Sequence, residues 1–274
     1  MPSSISTRES IQWLPDEAGE RSITVVLSSP GSRFVDLRPV IPSIVTPEES
    51  EFPFEWAFAG YERVLKGDYS IMEFTHDFFD SSYIYKYQLF NKNLLSEKPL
   101  LEDISADIGY FETIGIGRRR ETGKMANSAN GDKITDYVEI WQSLNPIKFT
   151  PTEKAILHED TEEGTTEYGC YVYDIVGDDN KELYEGRVIR VGNWIQGLVW
   201  DKSDKTSKVP ISAIRLWFDK SKGNWVDVHS FGNLKSFENF PIFNDFKIVN
   251  VNSEFTTSDG NITWTCVEVE QPSQ

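Results

Sequence analysis

Hydrophobic residues in this chain recur mainly at every second position. In FPFEWAFAG, Phe52, Phe54, Trp56, Phe58 and Gly60 take one side while Pro53, Glu55, Ala57 and Ala59 take the other. That alternation predicts a strand with one aromatic face. RVGNWIQGLVW, from Arg190 to Trp200, repeats the theme, with Trp194, Leu198 and Trp200 on one face and Ile189, Val191, Ile195 and Val199 on the other. Apolar residues on both faces predict burial on both sides. A glycine inside a strand gives up packing and marks a bend or a close backbone approach, so both strands are expected to curve.

Further alternating segments run from Ile23 to Leu27, Phe34 to Leu37, Ile71 to Phe79 and Tyr83 to Phe90, the last with Tyr83, Tyr85 and Tyr87 on one face. The pattern weakens over 92–130, read as a long loop in which only Gly109 to Ile116 is strand-like. LNPIKFTPTEK, with two prolines, reads as a linker. After it, Cys170–Val176, Glu185–Trp200, Ile211–Phe218, Trp225–Phe231, Phe246–Val251 and Ile262–Val269 follow at hairpin spacing. GDKITDYVEIWQ (131–142) and GNITWTCVEVEQ (260–271) close the two halves with related patterns offset by one residue, as a β-bulge would produce. The reading is a mainly β chain of two tandem antiparallel β-barrel domains related by internal duplication: 1–147, a linker 148–154, and 155–274. Phe54, Trp56, Phe58, Trp194, Leu198 and Trp200 are the candidates for the barrel interiors. Only LLSEKPLLEDI and NLKSFENF suggest short helices.

At 274 residues, 39% hydrophobic and 13% aromatic, the chain can bury two cores without staples. Its formal charge of −17 is spread over both halves, and the one dense basic cluster is Arg118, Arg119 and Arg120. Those arginines read as a solvated loop, which argues against nucleic-acid binding. There is no apolar run of signal-peptide or membrane-spanning length, so a soluble protein outside the secretory route is expected. Cys170 and Cys266 would fall on neighbouring strands of a closed second barrel but are read as buried free thiols. The sequon at Asn261 would go unused in a cytosolic protein.

Motifs for nucleophilic, metal or phosphate chemistry are missing from the sequence. His76, His158 and His229 lie in separate segments. His229 shares alternation with Trp225 and Phe231 and is the best pocket candidate, although a packed strand histidine explains it better. Carboxylate pairs such as Glu139 with Glu268 or Asp77 with Asp80 could be drawn as acid and base, but nothing selects them. Asp178, Asp179 and Glu182 lack calcium-loop spacing and read as a hairpin turn. No catalytic residue, cofactor or metal is assigned. In LHEDTEEGTTEYG, Thr165 and Thr166 each follow a glutamate by three residues, a pattern that acid-directed kinases favour, in a stretch otherwise read as a solvated loop.

With FPFEWAFAG, EIWQSLNP (139–146), VIRVGNWIQGL (188–198), IRL (214–216) and LRP (37–39) in this order, the chain resembles a fungal family of uncharacterised proteins named for interacting with the yeast casein kinase I homologue. The resemblance covers essentially the whole chain. It implies two lipocalin-like β-barrels in cytoplasm and nucleus, binding to a casein kinase I and, second, to a subunit of the post-translational translocation machinery, with no catalytic residues. The expectation is a non-enzymatic interaction protein whose acidic body meets a basic kinase surface. The alternative is a carrier of a small hydrophobic ligand or heme in a barrel lumen, and an enzyme using scattered carboxylates and His229 ranks third. A homodimer is compatible with the sequence.

Overall fold

The computed structural model describes residues 2–101, 104–127, 130–131, 133–151, 168–176 and 182–272, without the side chain of Lys247. Among the described residues, nine strands and one α-helix form the first unit: β1 (Ser4–Trp13), β2 (Val25–Ser28), β3 (Arg33–Pro39), β4 (Phe54–Val64), β5 (Ile71–Phe74), β6 (Phe79–Asp80), α1 (Ser81–Asn91), β7 (Asp107–Gly115), β8 (Arg118–Asn127) and β9 (Lys133–Leu144). Their order is β3-β2-β1-β9-β8-β7-β5-β4, and a β3–β4 pairing closes these eight strands into an antiparallel barrel. The two-residue β6 pairs with β4 beside the ring. Closure leaves the eight-stranded ring without a sheet edge.

The second unit contains β10 (Cys170–Asp174), β11 (Tyr184–Val191), β12 (Trp194–Asp201), β13 (Ile211–Asp219), β14 (Asn224–Phe231), β15 (Glu254–Thr256) and β16 (Thr263–Glu270). They form a seven-stranded antiparallel sheet in the order β14-β13-β12-β11-β10-β16-β15. The fold is thus mainly β in two antiparallel units. The first is the closed barrel, and the second has β14 and β15 as its ends among the described residues. In each unit the last long strand pairs with the first, β9 with β1 and β16 with β10. Both ladders are bulged, between Arg8 and Ser10 in one and opposite the Val172/Tyr173 step in the other.

One face of the second sheet lies on the outside of the barrel. Ile5, Val25, Leu27, Val35, Leu37, Ala57 and Ala59 of the barrel share a single buried cluster with Cys170, Val172, Ile189, Val191, Trp194, Leu198 and Trp200. The other face, including Tyr171, Val188, Ile195, Val199, Leu216, Trp264 and Cys266, is covered by Phe240, Phe246 and Val249 from the chain that follows β14. Strand β12 is therefore buried on both sides, as its apolar pattern predicts. At about 25 cal/mol per Å² of apolar surface, each large side chain in the shared cluster contributes on the order of 2 kcal/mol to holding the units together.

Main-chain oxygens of the barrel are also gripped across this seam. Arg187 donates to Gly60 O (2.7 Å), Gln196 to Val25 O and Val35 O (3.0 and 3.1 Å), and Arg215 to Ile23 O and Leu37 O (both 2.8 Å). Arg215 donates further to Gln196 Oε1 at 2.6 Å. Burial lowers its pKa to about 9, against the opposing pull of Asp36.

Several expected elements differ. Glu185–Trp200 is the β11–β12 hairpin and not one strand, so Ile189 and Val191 share a face with Trp194 and Leu198 while Ile195 and Val199 take the other. Phe246–Val251, read as strand, begins with a 3-10 turn over Phe246–Ile248. Tyr83–Phe90 is helical because Asp80 caps α1, accepting from the backbone N–H groups of Ser82 and Tyr83 at 2.7 and 3.0 Å. Tyr83 and Tyr87, one turn apart, both face Trp200 edge-on, whereas Tyr85 is exposed. Arg118–Asn127, read as loop, is the long strand β8, paired on both sides with β7 and β9. Its inward positions mix Glu121 and Gly123 with Met125, and its outward ones are mostly charged or polar, so it lacks a continuous apolar face. Arg118 pairs with Glu9 and Arg120 with Glu112, while Arg119 lies 4.7 Å from the Phe111 ring.

The close backbone approach expected of a glycine within a strand is found at Gly60, whereas Gly192 lies in a turn and not inside a strand. A Cβ on Gly60 would stand 1.9 Å from Thr75 O, so this position exists to let two backbones meet. Gly192, with φ +56°, opens the two-residue Gly192–Asn193 turn between β11 and β12.

Candidate functional site

The barrel lumen holds a network of charged side chains. Arg8 of β1, its side chain fully buried, donates to Glu20 (2.7 and 3.1 Å), to Glu139 of β9 (2.7 Å), and also to Glu55. Arg38 of β3 binds Asp36 at 2.8 and 3.0 Å and approaches Glu139 at 3.6 Å. Its guanidinium lies 5.3–6.0 Å from the rings of Phe58, Trp56 and Trp141. Groups from β1, β3, β4 and β9 meet here, which only a closed ring permits. Burial would strip both arginines of charge, but the surrounding carboxylates outweigh it and hold both pKa values above the usual range.

Glu121 of β8 accepts from Tyr137 Oη (2.7 Å) and Trp141 Nε1 (2.8 Å). Burial first, and the nearby Glu139 carboxylate second, push its pKa up. The phenol of Tyr137 is pushed up as well.

His76 sits between two acids, Nδ1 at 2.8 Å from Asp80 and Nε2 at 3.2 Å from Asp107. It is stacked on Phe58, with ring centroids 4.6 Å apart and planes 5° from parallel. Burial would lower its pKa, yet the hydrogen bonds to Asp107 and Asp80 prevail and raise it to about 9. The ring is an imidazolium at neutral pH with both nitrogens engaged, so neither is open to take a proton from a substrate. Asp80 joins this cluster to α1, since the carboxylate that caps the helix also accepts from Trp56 Nε1 at 3.0 Å.

A second concavity lies where the two units meet. It is an open cleft of about 330 Å³ whose walls include Glu51, Asp201, Asp204, Ile211, Phe231 and Leu234. Glu51 comes from the chain between β3 and β4, Asp201 from the end of β12 and Asp204 from the loop between β12 and β13. Gln88 of α1 donates to Asp204 O and Ser207 O (2.9 and 3.2 Å), and Lys208 to Glu48 O (3.1 Å), tying that loop to the first unit. Burial of Asp204 works against ionisation, but hydrogen bonds from Ser207 and Thr206 hold its pKa down at about 2. Three acids, Glu51, Asp201 and Asp204, thus line the cleft against one base, Lys235, so the lining is acidic on balance.

A family model described as Protein HRI1 matches residues 4–268. The chain belongs to the HRI1 family. A Protein HRI1 of Kluyveromyces lactis is 25% identical over 268 residues, covering 97% of this chain and 98% of that one. The Lachancea thermotolerans Protein HRI1 is 28% identical over 207 residues, 75% of this chain and 72% of its own. The crystal structure of the uncharacterised Saccharomyces cerevisiae protein YLR301w superimposes with a TM-score of 0.74 at 21% identity, over 98% of this chain and all of that one. This structural likeness concerns the fold alone.

In this member of the HRI1 family, Trp56 and Phe58 line the barrel lumen. Phe54, Trp194, Leu198 and Trp200 belong instead to the cluster between the units. A bulge between Arg38 and Pro39 turns Phe54 outward, and the large faces of β12 fill the seam, leaving Ile195 and Val199 to the second core. His229 and Phe231 pack on Phe54 at 5.1 and 5.5 Å, while Trp225 lies on the opposite face with Arg190, because the ladder is bulged between them. Burial and the neighbouring Arg215 lower the His229 pKa to about 4, so the ring is neutral.

Cys170 and Cys266 are free and buried, on adjacent strands but on opposite faces of the second sheet. Glu139 lies in the lumen network, whereas Glu268 holds Arg33 at 2.9 Å in a separate one. Asp77 accepts from Thr75, and Asp80 is the helix cap. Thr165, Thr166, His158, Asp178 and Asp179 fall outside the described residues. Among the described residues, no three His, Cys, Asp or Glu side chains are grouped to hold a metal. Sequence reasoning missed Arg8, Arg38, His76 and Glu121. A signal was available, since Phe34, Asp36 and Arg38 alternate with Val35 and Leu37 and so mark a charged face opposite an apolar one.

Proposed function

We propose that this HRI1-family chain is a non-enzymatic interaction protein that binds a protein kinase of the casein kinase I class through its acidic surface. A subunit of the post-translational translocation machinery is the second partner of this reading, and cytoplasm and nucleus its setting. The observation that carries it is the occupied lumen. The centre of the closed ring holds Arg8, Arg38, Glu139 and Trp141 in contact with one another, and an eight-stranded barrel has room for side chains or one small ligand. Nothing in that arrangement favours a carrier of heme or lipid. What the molecule offers a partner is its outside, with a formal charge of −17 and an anionic cleft over an apolar floor that suits a lysine or arginine side chain on its hydrocarbon stem.

The test is the affinity of the full chain for a casein kinase I catalytic domain at about 0.05 and 0.5 M salt, where screening lengths differ severalfold. Binding that weakens with salt, and weakens further in Glu51→Lys, is expected. Salt-independent binding, or none at micromolar concentration, overturns the reading.

A further inference from the structure

The outer surface of β7 carries an apolar ridge. Ile108, Tyr110 and Ile114 are 40%, 54% and 42% exposed, and Ile116 in the following turn is 64% exposed. Four large hydrophobic side chains exposed along one hairpin form a patch rather than the scattered single residues of an ordinary surface. The flanking strands add charge in a definite order. On one side Glu73 of β5 lies opposite Ile108 and pairs with Arg63 of β4 at 3.1 Å. On the other, β8 presents Lys124, two residues beyond the Tyr110–Thr122 pair on the same face, and Lys124 binds Asp136 of β9 at 3.1 Å. Arg120 and Glu112 form a third cross-strand pair at 3.6 Å. This patch is locally neutral on a chain whose formal charge is −17.

From this arrangement we infer that the β7 ridge is a self-association surface, and that its occupant is a second copy of the same chain. The choice of occupant rests on symmetry and charge. Two copies of a strongly acidic protein repel each other except where their facing surfaces carry no net charge. A two-fold interface brings each patch against itself. With the dyad running along β7, Ile108 faces Ile108 and Tyr110 faces Tyr110. The strands on either side exchange places, so Glu73 of one copy faces Lys124 of the other, and Lys124 faces Glu73. Further out, Arg63 stands on the side of the other copy's Asp136. The register thus places opposite charges against each other at both flanks of an apolar centre. The ridge belongs to the barrel strands β5, β7 and β8, none of which contributes to the cleft between the units, so self-association and kinase binding are separable.

The experiment is sedimentation equilibrium of the full chain at about 0.15 M salt, where charges more than about 8 Å apart are largely screened. A reversible dimer is expected. Tyr110→Asp should weaken it by more than about tenfold, because it buries a charge at the dyad. Lys124→Glu should weaken it several-fold, and the double variant Glu73→Lys/Lys124→Glu should recover most of that loss by exchanging the facing charges. Far-UV circular dichroism checks that each variant keeps its strands. The single and double variants also disturb exposed intramolecular pairs, which contribute little to folding. A monomer at about 100 µM, or a dimer unmoved by Tyr110→Asp, overturns the inference, as does a double variant weaker than Lys124→Glu alone.

Discussion

The imidazolium of His76 gives the barrel a specific alkaline sensitivity. Its pKa is raised from 6.5 to about 9 by Asp107 and Asp80, against the opposing effect of burial. Between these values the folded chain binds a proton that the unfolded chain releases, so stability falls as pH rises. The contribution is fully present below 6.5 and lost as the pH passes through about 9. At 1.36 kcal/mol per pK unit it amounts to about 3 kcal/mol, with a slope approaching 1.4 kcal/mol per pH unit in the window. Glu121, also raised, acts in the same direction from its unfolded value of 4.5 upward.

Urea unfolding of the wild type and His76→Gln at several pH values from about 6 to 9 separates the His76 contribution from the rest. The variant lacks the imidazole and should retain only the part of the slope set by the other shifted groups. Glu121 and Glu62, both raised, act in the same direction as His76, and Arg215, lowered to about 9, opposes them at the top of the range. The thiols of Cys170 and Cys266 and the phenols of Tyr83, Tyr137, Tyr168, Tyr171, Tyr173 and Tyr184 also have raised values, but their ordinary values are 9 and 10, so they enter only at the top of this window and above it. Because the units share one buried cluster, a single cooperative transition should report on the whole chain. A wild-type stability that is flat between pH 7 and 9, or an equal slope in His76→Gln, would refute the proposed charge on His76.

Three further outcomes are expected. Gly60→Ala should cost at least about 2 kcal/mol in chemical unfolding, since its Cβ would meet the Thr75 carbonyl and strand backbone must shift to admit it; a neutral effect would mean that the approach is looser. Arg187→Met should cost roughly 3 to 5 kcal/mol by leaving the buried Asp174 carboxylate, now 2.8 Å from the guanidinium, without its counter-charge. Neither cysteine should react with a water-soluble disulfide reagent until the chain is unfolded, because both are buried and burial raises both pKa values, that of Cys266 to about 11. Rapid modification of the native protein would contradict this.

The strands with one apolar face were legible in the sequence because each buries that face against something apolar. Strand β12 announced its two-sided burial, and β9 and β16 announced themselves as the last long strands of their units. Strand β8 was illegible for the converse reason. Apart from Met125, its inward side meets a charged lumen, and its outward side meets water, so alternation of hydrophobicity is absent. Helix α1 was misread because tyrosines at every second position imitate a strand, while the decisive feature was the short Asp80–Ser81 cap. The site was harder still. The partners of His76 lie 4 and 31 residues away, and only ring closure brings Asp107 to it.

In the most deeply buried part of the seam the hydrogen bonds run one way, although at its rim Gln88, Ser29 and Arg33 of the barrel donate to the second unit. Arg187, Gln196 and Arg215 supply the donors from the second unit, while the acceptors on the barrel are main-chain oxygens of Ile23, Val25, Val35, Leu37 and Gly60. A carbonyl is present whatever side chain its residue bears, but a guanidinium is not. Mutational drift should therefore be asymmetric. The barrel can exchange residues at these five positions, within the limits of packing, without forfeiting a hydrogen-bond acceptor, whereas each loss of a donor from the second unit strands one or two oxygens in a dry interface. The second unit carries the memory of how the halves fit.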